Sequence, residues 1–169
     1  MKLMIEKIPD LKALYVRELR LLLSAEEMIA IKTPIMVEIV ADLELNKVLR
    51  DHLEETQIHA KRVREILLRA SGEADPLKCK VVYSLFDEIE ELIRSTAHEP
   101  VRDAAIILAA QQVEHYEISA YGSLRSYAQQ LNLPDIAELL QQTLEEEKAA
   151  DKKFSEISRR LNERASRAA

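Results

Sequence analysis

Tryptophan is absent, cysteine occurs once and glycine twice in 169 residues, with five prolines and only 4% aromatic residues. One cysteine excludes an internal disulfide framework and any four-cysteine metal site. Two glycines are too few for the turns of an all-β or doubly wound α/β fold of this length. No apolar run approaches the roughly 20 residues that span a bilayer. The opening MKLMIEKIPD is too short and too charged for a secretory leader, so a cytoplasmic location is expected. A net charge of −6 disfavours nucleic acid and anionic membrane surfaces as partners. Phosphate loops, nucleophile elbows and zinc-finger spacings are missing as well.

What remains is 47% hydrophobic and 32% charged, with a core supply of Leu, Ile, Ala and Val. That composition predicts an all-α domain. Apolar spacing places helices over about 10–41, 46–70, 77–96, 101–131 and 134–164 of a single domain, 1–169. Asp10 is the expected first cap. Pro34 is expected to kink the first helix, with Ile35, Ile39 and Val40 resuming its stripe. Gly72 suits a helix C-terminus, and Pro76 and Pro134 suit helix starts. Four long helices form two antiparallel hairpins joined by a long crossover that carries the short helix. This is the ferritin-like plan of a four-helix bundle. A helical bundle without any site fits the same pattern, so the acids decide between the two.

Acids occupy the apolar stripes. The last helix reads Ile136, Leu140, Thr143, Glu147, Ala150, Phe154, Ile157, Leu161, with Glu147 in the middle. The fourth reads Ile106, Ala110, Val113, Glu117, Ala120, Leu124, Ala128, with Glu114 one turn before Glu117. The first carries Glu26 between Leu22 and Ile29. On the second, His52, Glu55 and His59 line up beside Thr56 and Val63. One such acid is ordinary at the edge of a stripe. Four helices with one each need compensation, because an ionised carboxylate in an apolar core costs several kcal/mol. These stripes contain no Lys or Arg, so a metal cation is the natural counter-charge.

Register agrees. A reversal near residue 43 sets Glu26 level with His59 and within about a turn of Glu55. A reversal near residue 133 sets Glu117 level with Glu147, and Glu114 level with Asp151. Each half therefore offers a lone Glu on one helix and a pair of ligands on the next, the plan of a dinuclear carboxylate site. Oxygen donors with few imidazoles suit iron or manganese. The expected ligands are Glu26, Glu55, His59, Glu114, Glu117, Glu147 and Asp151. The pattern departs from Glu-x-x-His at two places, Thr56 and Ala150. His52 is read as a supporting hydrogen-bond donor or a helix-end residue, His98 as a loop residue, and His115 as a supporting or subunit-contact residue. Cys79, between Lys78 and Lys80, is read as a packed or exposed thiol, with a redox role as the sharper alternative.

Val113 to Gly122 (VEHYEISAYG) closely resembles a motif of the YciF-like (YciE/YciF) bacterial stress proteins. So do Tyr15 to Glu26 (YVRELRLLLSAE), His52 to Thr56 (HLEET) and Leu140 to Asp151 (LQQTLEEEKAAD), and Cys79 matches that family's usual cysteine. The resemblance covers nearly the whole chain. It implies a ferritin-like fold, similar to rubrerythrin and manganese catalase, and a link to general stress responses. More distantly, Glu114-x-x-Glu117, His59 to Arg62 and Glu147-Lys148 resemble rubrerythrin segments. A di-metal protein reacting with peroxide or dioxygen is thus the leading expectation, as a homodimer or small homo-oligomer. A non-catalytic structural or stress protein with a vestigial or single-metal site is the alternative.

Overall fold

The computed structural model describes residues 7–168; the amino-terminal segment, expected not to be a leader, lies mostly outside the described residues. Five α-helices follow one another: α1 (Leu11–Ile39), α2 (Leu43–Ser71), α3 (Lys80–Ser95), α4 (Glu99–Gln130) and α5 (Pro134–Ala165). Among the described residues there is no strand. No helix among them is long and apolar enough to cross a membrane.

Local chemistry sets the boundaries. Asp10 caps α1 by accepting from Ala13 N at 2.7 Å. The helix continues unbroken through Pro34. Its buried face beyond that point is Met36, Val37 and Val40, while Ile35 is 47% exposed. The expected stripe through Ile35 is corrected accordingly: an uninterrupted helix keeps the face of Ile29 and Thr33, and Met36 and Val37 fall on it. α2 starts at Leu43, earlier than the expected Asn46, because Asp42 caps it through Glu44 N and Leu45 N. Gly72 ends α2 at φ +78°, a left-handed conformation that glycine adopts without penalty. α3 starts at Lys80 rather than near Leu77. The backbone before it is held against α1 instead, by Leu77 N to Arg20 O (3.0 Å), Arg20 Nε to Asp75 O (2.9 Å) and Cys79 N to Ser24 Oγ (3.2 Å).

α1 and α2 pack together as a hairpin, as do α4 and α5; α1 also packs on α4, and α2 on α5. Gln111 Nε2 donates to Ser155 Oγ at 2.9 Å across the second hairpin. α3 lies against α4 and α1. The apolar core divides into two clusters. One gathers Ile29, Met36, Leu49, Phe86, Ile106, Val113, Phe154 and Leu161. The other gathers Tyr15, Leu22, Val63, Ile66, Tyr121, Leu124, Ile136 and Leu140. Between them, in the middle of every long helix, lie the acids and histidines.

The turn joining α1 to α2 is locked to the second hairpin. Buried Asp103 accepts from Ala41 N (2.9 Å) and Asp42 N (3.0 Å). Arg160 grips both oxygens of Asp42 at 2.7 and 2.8 Å, and Arg164 adds a third contact at 2.8 Å. The Arg160 hydrogen bonds, against the cost of burial, hold the Asp42 carboxyl down at about 2. Asp103→Ala would strip two amides of their acceptor and is expected to destabilise the protein by about 3 kcal/mol. Asp103→Asn, which keeps one acceptor, should cost less. Urea-denaturation midpoints of the two variants check this order.

Candidate metal centre

The middle of each long helix contributes one level of a buried polar layer. α1 supplies Glu26, α2 supplies His52, Thr56 and His59, α4 supplies Glu114 and Glu117, and α5 supplies Thr143 and Glu147; all are buried. Their atoms converge on two points. Glu26, His59 and Glu147 offer three ligand atoms within 4.8 Å of one another. His52, Glu114, Glu117 and Glu147 offer four within the same limit. Glu147 belongs to both groups, so the two points share a wall.

The groups meet a test that a merely satisfied polar core would fail. Buried polar atoms almost always find hydrogen-bond partners. Here Glu26 Oε2, Glu114 Oε2, both oxygens of Glu117 and both oxygens of Glu147 have none. Nδ1 of His52 and of His59 are equally without one. His59 Nδ1 comes within 2.8 Å of Glu147 Oε1 without hydrogen-bond alignment. His52 Nε2 lies 3.0 Å from Glu114 Oε1. Carboxyl and imidazole atoms crowded together without aligned hydrogen bonds offer ligand atoms to a common cation. The donor set, four carboxylates and two imidazoles, suits iron or manganese in kind and two divalent ions in charge.

Outer contacts orient the donors. Tyr121 Oη donates to Glu26 Oε1 and leaves Oε2 free. His59 Nε2 lies 2.8 Å from Glu146 Oε2; a proton on Nε2 shared with that carboxylate turns Nδ1 toward Glu147. Glu146 is itself held by Arg62, and by Gln142 Nε2 at 2.9 Å.

Five of the seven expected residues, Glu26, His59, Glu114, Glu117 and Glu147, lie in these groups. Glu55 and Asp151 do not. Glu55 has a side chain 36% exposed, 3.8 Å from His52 Nδ1 and 4.0 Å from Lys153 Nζ. Asp151 Oδ1, also buried without a hydrogen-bond partner, is 3.4 Å from Nε2 of the exposed His115. The residue that sequence reasoning set aside is His52. Its signal was present: Leu45, Leu49, His52, Thr56, His59, Val63 and Ile66 form an unbroken stripe of alternating four- and three-residue steps, and Glu55 lies off it. Cys79 is buried at the start of α3, its Sγ 3.0 Å from Tyr116 Oη.

Electrostatics follow from crowding. Burial, reinforced by Glu147 and opposed by His59, pushes Glu26 up to about 8. Burial raises Glu114 to about 7 against the pull of His52. Burial and then Glu147, Glu26 and Glu114 hold Glu117 well above the ordinary carboxyl range. Burial depresses both histidines, but their acidic neighbours outweigh it and raise them. Without metal, the folded protein thus favours protonated acids. That stability is complete below the ordinary carboxyl value of 4.5 and is lost as pH rises through about 7 and 8. The melting temperature of chelator-treated protein should therefore fall between about pH 5 and about pH 8. A metal needs its ligands deprotonated, so the stabilisation it adds should grow over the same interval. Differential scanning fluorimetry with and without added iron or manganese checks both slopes.

Residues 10–166 match DUF892, a domain of unknown function. Protein YciF of Escherichia coli K12 is 38% identical over 136 residues, covering 80% of this chain and 82% of that protein. The crystal structure of the E. coli stress protein YciF superimposes with a TM-score of 0.86 at 34% identity, over 92% of this chain and 98% of that one. YcfI of Rhodopseudomonas palustris, described as a candidate structural protein, gives 0.86 at 35% identity, over 89% and 96%. The convergent carboxylates and imidazoles thus sit in a chain that belongs to the DUF892 family and is a relative of the stress protein YciF.

Proposed function

We propose that the protein is a ferritin-like di-metal carboxylate protein of the bacterial stress response. The observation that carries this reading is the donor set: four buried glutamates and two histidines from four helices, with their inward atoms unpaired. The ferritin-like plan places such a set in the bundle core. Here the usual distribution is altered. α2 supplies both imidazoles, and α5 supplies none, because Ala150 stands where a second histidine would be expected. Glu26 and His59 are assigned to one ion and His52, Glu114 and Glu117 to the other, with Glu147 between them. Glu55 and Asp151, expected from the sequence as ligands, are assigned to the periphery, Glu55 beside His52 and Asp151 beside His115.

When bound, a close pair of iron or manganese ions supplies one-electron chemistry toward dioxygen or peroxide. The residues' own work is to bind, orient and exclude water. Glu147 spans the two points. Tyr121 fixes the rotamer of Glu26, and Glu146 turns Nδ1 of His59 toward Glu147. The apolar clusters on either side keep the layer dry and strengthen every electrostatic contact in it. Without metal, the raised pKa values of Glu26 and Glu114 let protons take the place of the cations near neutrality.

Elemental analysis of protein from iron- or manganese-supplemented cells is expected to give two ions per chain. Glu147→Gln keeps the shape but removes the shared charge, and is expected to lose at least the second ion while the helical content persists. Glu117→Leu replaces an unpaired buried carboxyl by an apolar group and should stabilise the metal-free protein by about 1–4 kcal/mol. A second reading, a structural protein whose acids stay protonated, is favoured by the description of the R. palustris relative. On that reading the metal content is nil and chelators leave the melting temperature unchanged.

A further inference from the structure

The metal layer is closed by side chains on every long helix, so any reactant must reach it through the packing. A surface groove of about 450 Å³ lies between the carboxyl-terminal half of α1, α3 and the start of α4. Its wall is apolar: Ile35, Met36, Ile39, Phe86, Ile89 and Ile93. The charges on its rim are already engaged. Lys32 and Arg94 both pair with Glu90, and Arg102 donates to Ile39 O at 3.0 Å. No free cation or anion is left there to hold an ionic ligand, so the groove suits an uncharged one.

Met36 and Phe86, on the floor of the groove, also line a second, inner cavity of about 10 Å³, room for about one water-sized molecule. The inner cavity is walled by Ile29, Leu49, Val113, Phe154 and Thr33, whose hydroxyl donates to Ile29 O at 2.8 Å, and ends at His52 and Glu114. Phe154 meets the His52 ring edge-on, with centroids 6.1 Å apart. At this end His52 Nδ1 and Glu114 Oε2 are buried and unpartnered. The two cavities therefore make one line from the surface to the His52–Glu114 side of the layer, with Met36 and Phe86 as the constriction.

We infer that this line is the entry passage for dioxygen. The apolar stretch leading to that polar end favours a small uncharged apolar molecule over peroxide or an anion, which would leave hydrogen bonds behind on entering. The assignment gives Phe86, on the helix outside the two hairpins, a gating role: a ring movement on α3 would open the constriction without disturbing any donor. It also makes the two ion positions inequivalent, since the passage reaches the His52 side and not the His59 side. The inference rests on the di-metal reading for its purpose, but the passage can be tested without metal.

Xenon, an apolar atom that enters dry cavities, is the probe. Metal-free crystals pressurised with xenon are expected to show it beside Met36, Phe86 and Phe154, with higher occupancy in Phe86→Ala. Absence of xenon there in both proteins would overturn the passage. Ala110→Leu places a larger side chain against the inner cavity. In ferrous-loaded protein it should slow oxidation by dioxygen several-fold while leaving the amount of iron bound unchanged. Oxidation as fast as in the parent protein, with xenon excluded from the filled cavity, would also overturn it. Should xenon enter and no iron bind, the passage stands as a cavity route and the di-metal reading is the one that falls.

Discussion

Four buried glutamates within reach of one another constrain everything else in this molecule. Desolvation and mutual repulsion both oppose their ionisation, and no lysine or arginine shares the layer formed by Glu26, Glu114, Glu117 and Glu147. Such a layer is tolerable in two states only, protonated or neutralised by cations. The rest of the fold holds the layer together despite that cost. Two apolar clusters lie on either side of it and supply the packing that the layer lacks. The Asp42–Asp103–Arg160 lock ties the turn of the first hairpin to both helices of the second, so neither hairpin can slide and separate the donors.

Because the carboxylates oppose one another, the layer also couples charge to conformation. Removing cations leaves protons as the only available neutraliser, and the raised values of Glu26 and Glu114 place that exchange near neutral pH. The outer contacts limit how the donors relax. Glu26 is tethered through Tyr121 and His59 through Glu146, whereas Glu117 and Glu147 have no tether at all. The untethered pair is the most central, and the tethered residues carry the fixed geometry.

This arrangement sits in a family whose relatives are described as stress and structural proteins rather than by a reaction. The departures at Thr56 and Ala150 explain why a search for paired Glu-x-x-His motifs would pass over the chain. On the di-metal reading His52 supplies a second imidazole from α2, two turns before His59.

Periodicity alone determined the helices and the central acids. Glu26, Glu117 and Glu147 interrupt apolar stripes, and a 3.6-residue repeat leaves no other face for them. Hairpin register alone set His59 level with Glu26, because two antiparallel helices with a short turn have one reference point. Level along the hairpin could not separate His52 from Glu55, three residues apart on one helix, since a rotation of some tens of degrees exchanges them; only the stripe through Leu49, His52, Thr56, His59 and Val63 favoured His52. Packing of α2 against α1 and α5 fixed that rotation, turning His52 inward and Glu55 toward solvent. In the same way Asp151, level with Glu114 by count, turned toward His115 when Ala150 took the inward position. The start of α3 was also settled tertiarily, by backbone bonds from residues 75–79 to α1 that no local pattern encodes. Local spacing decides which residues share a face; only the contact between faces decides which of two neighbours on it points at the centre.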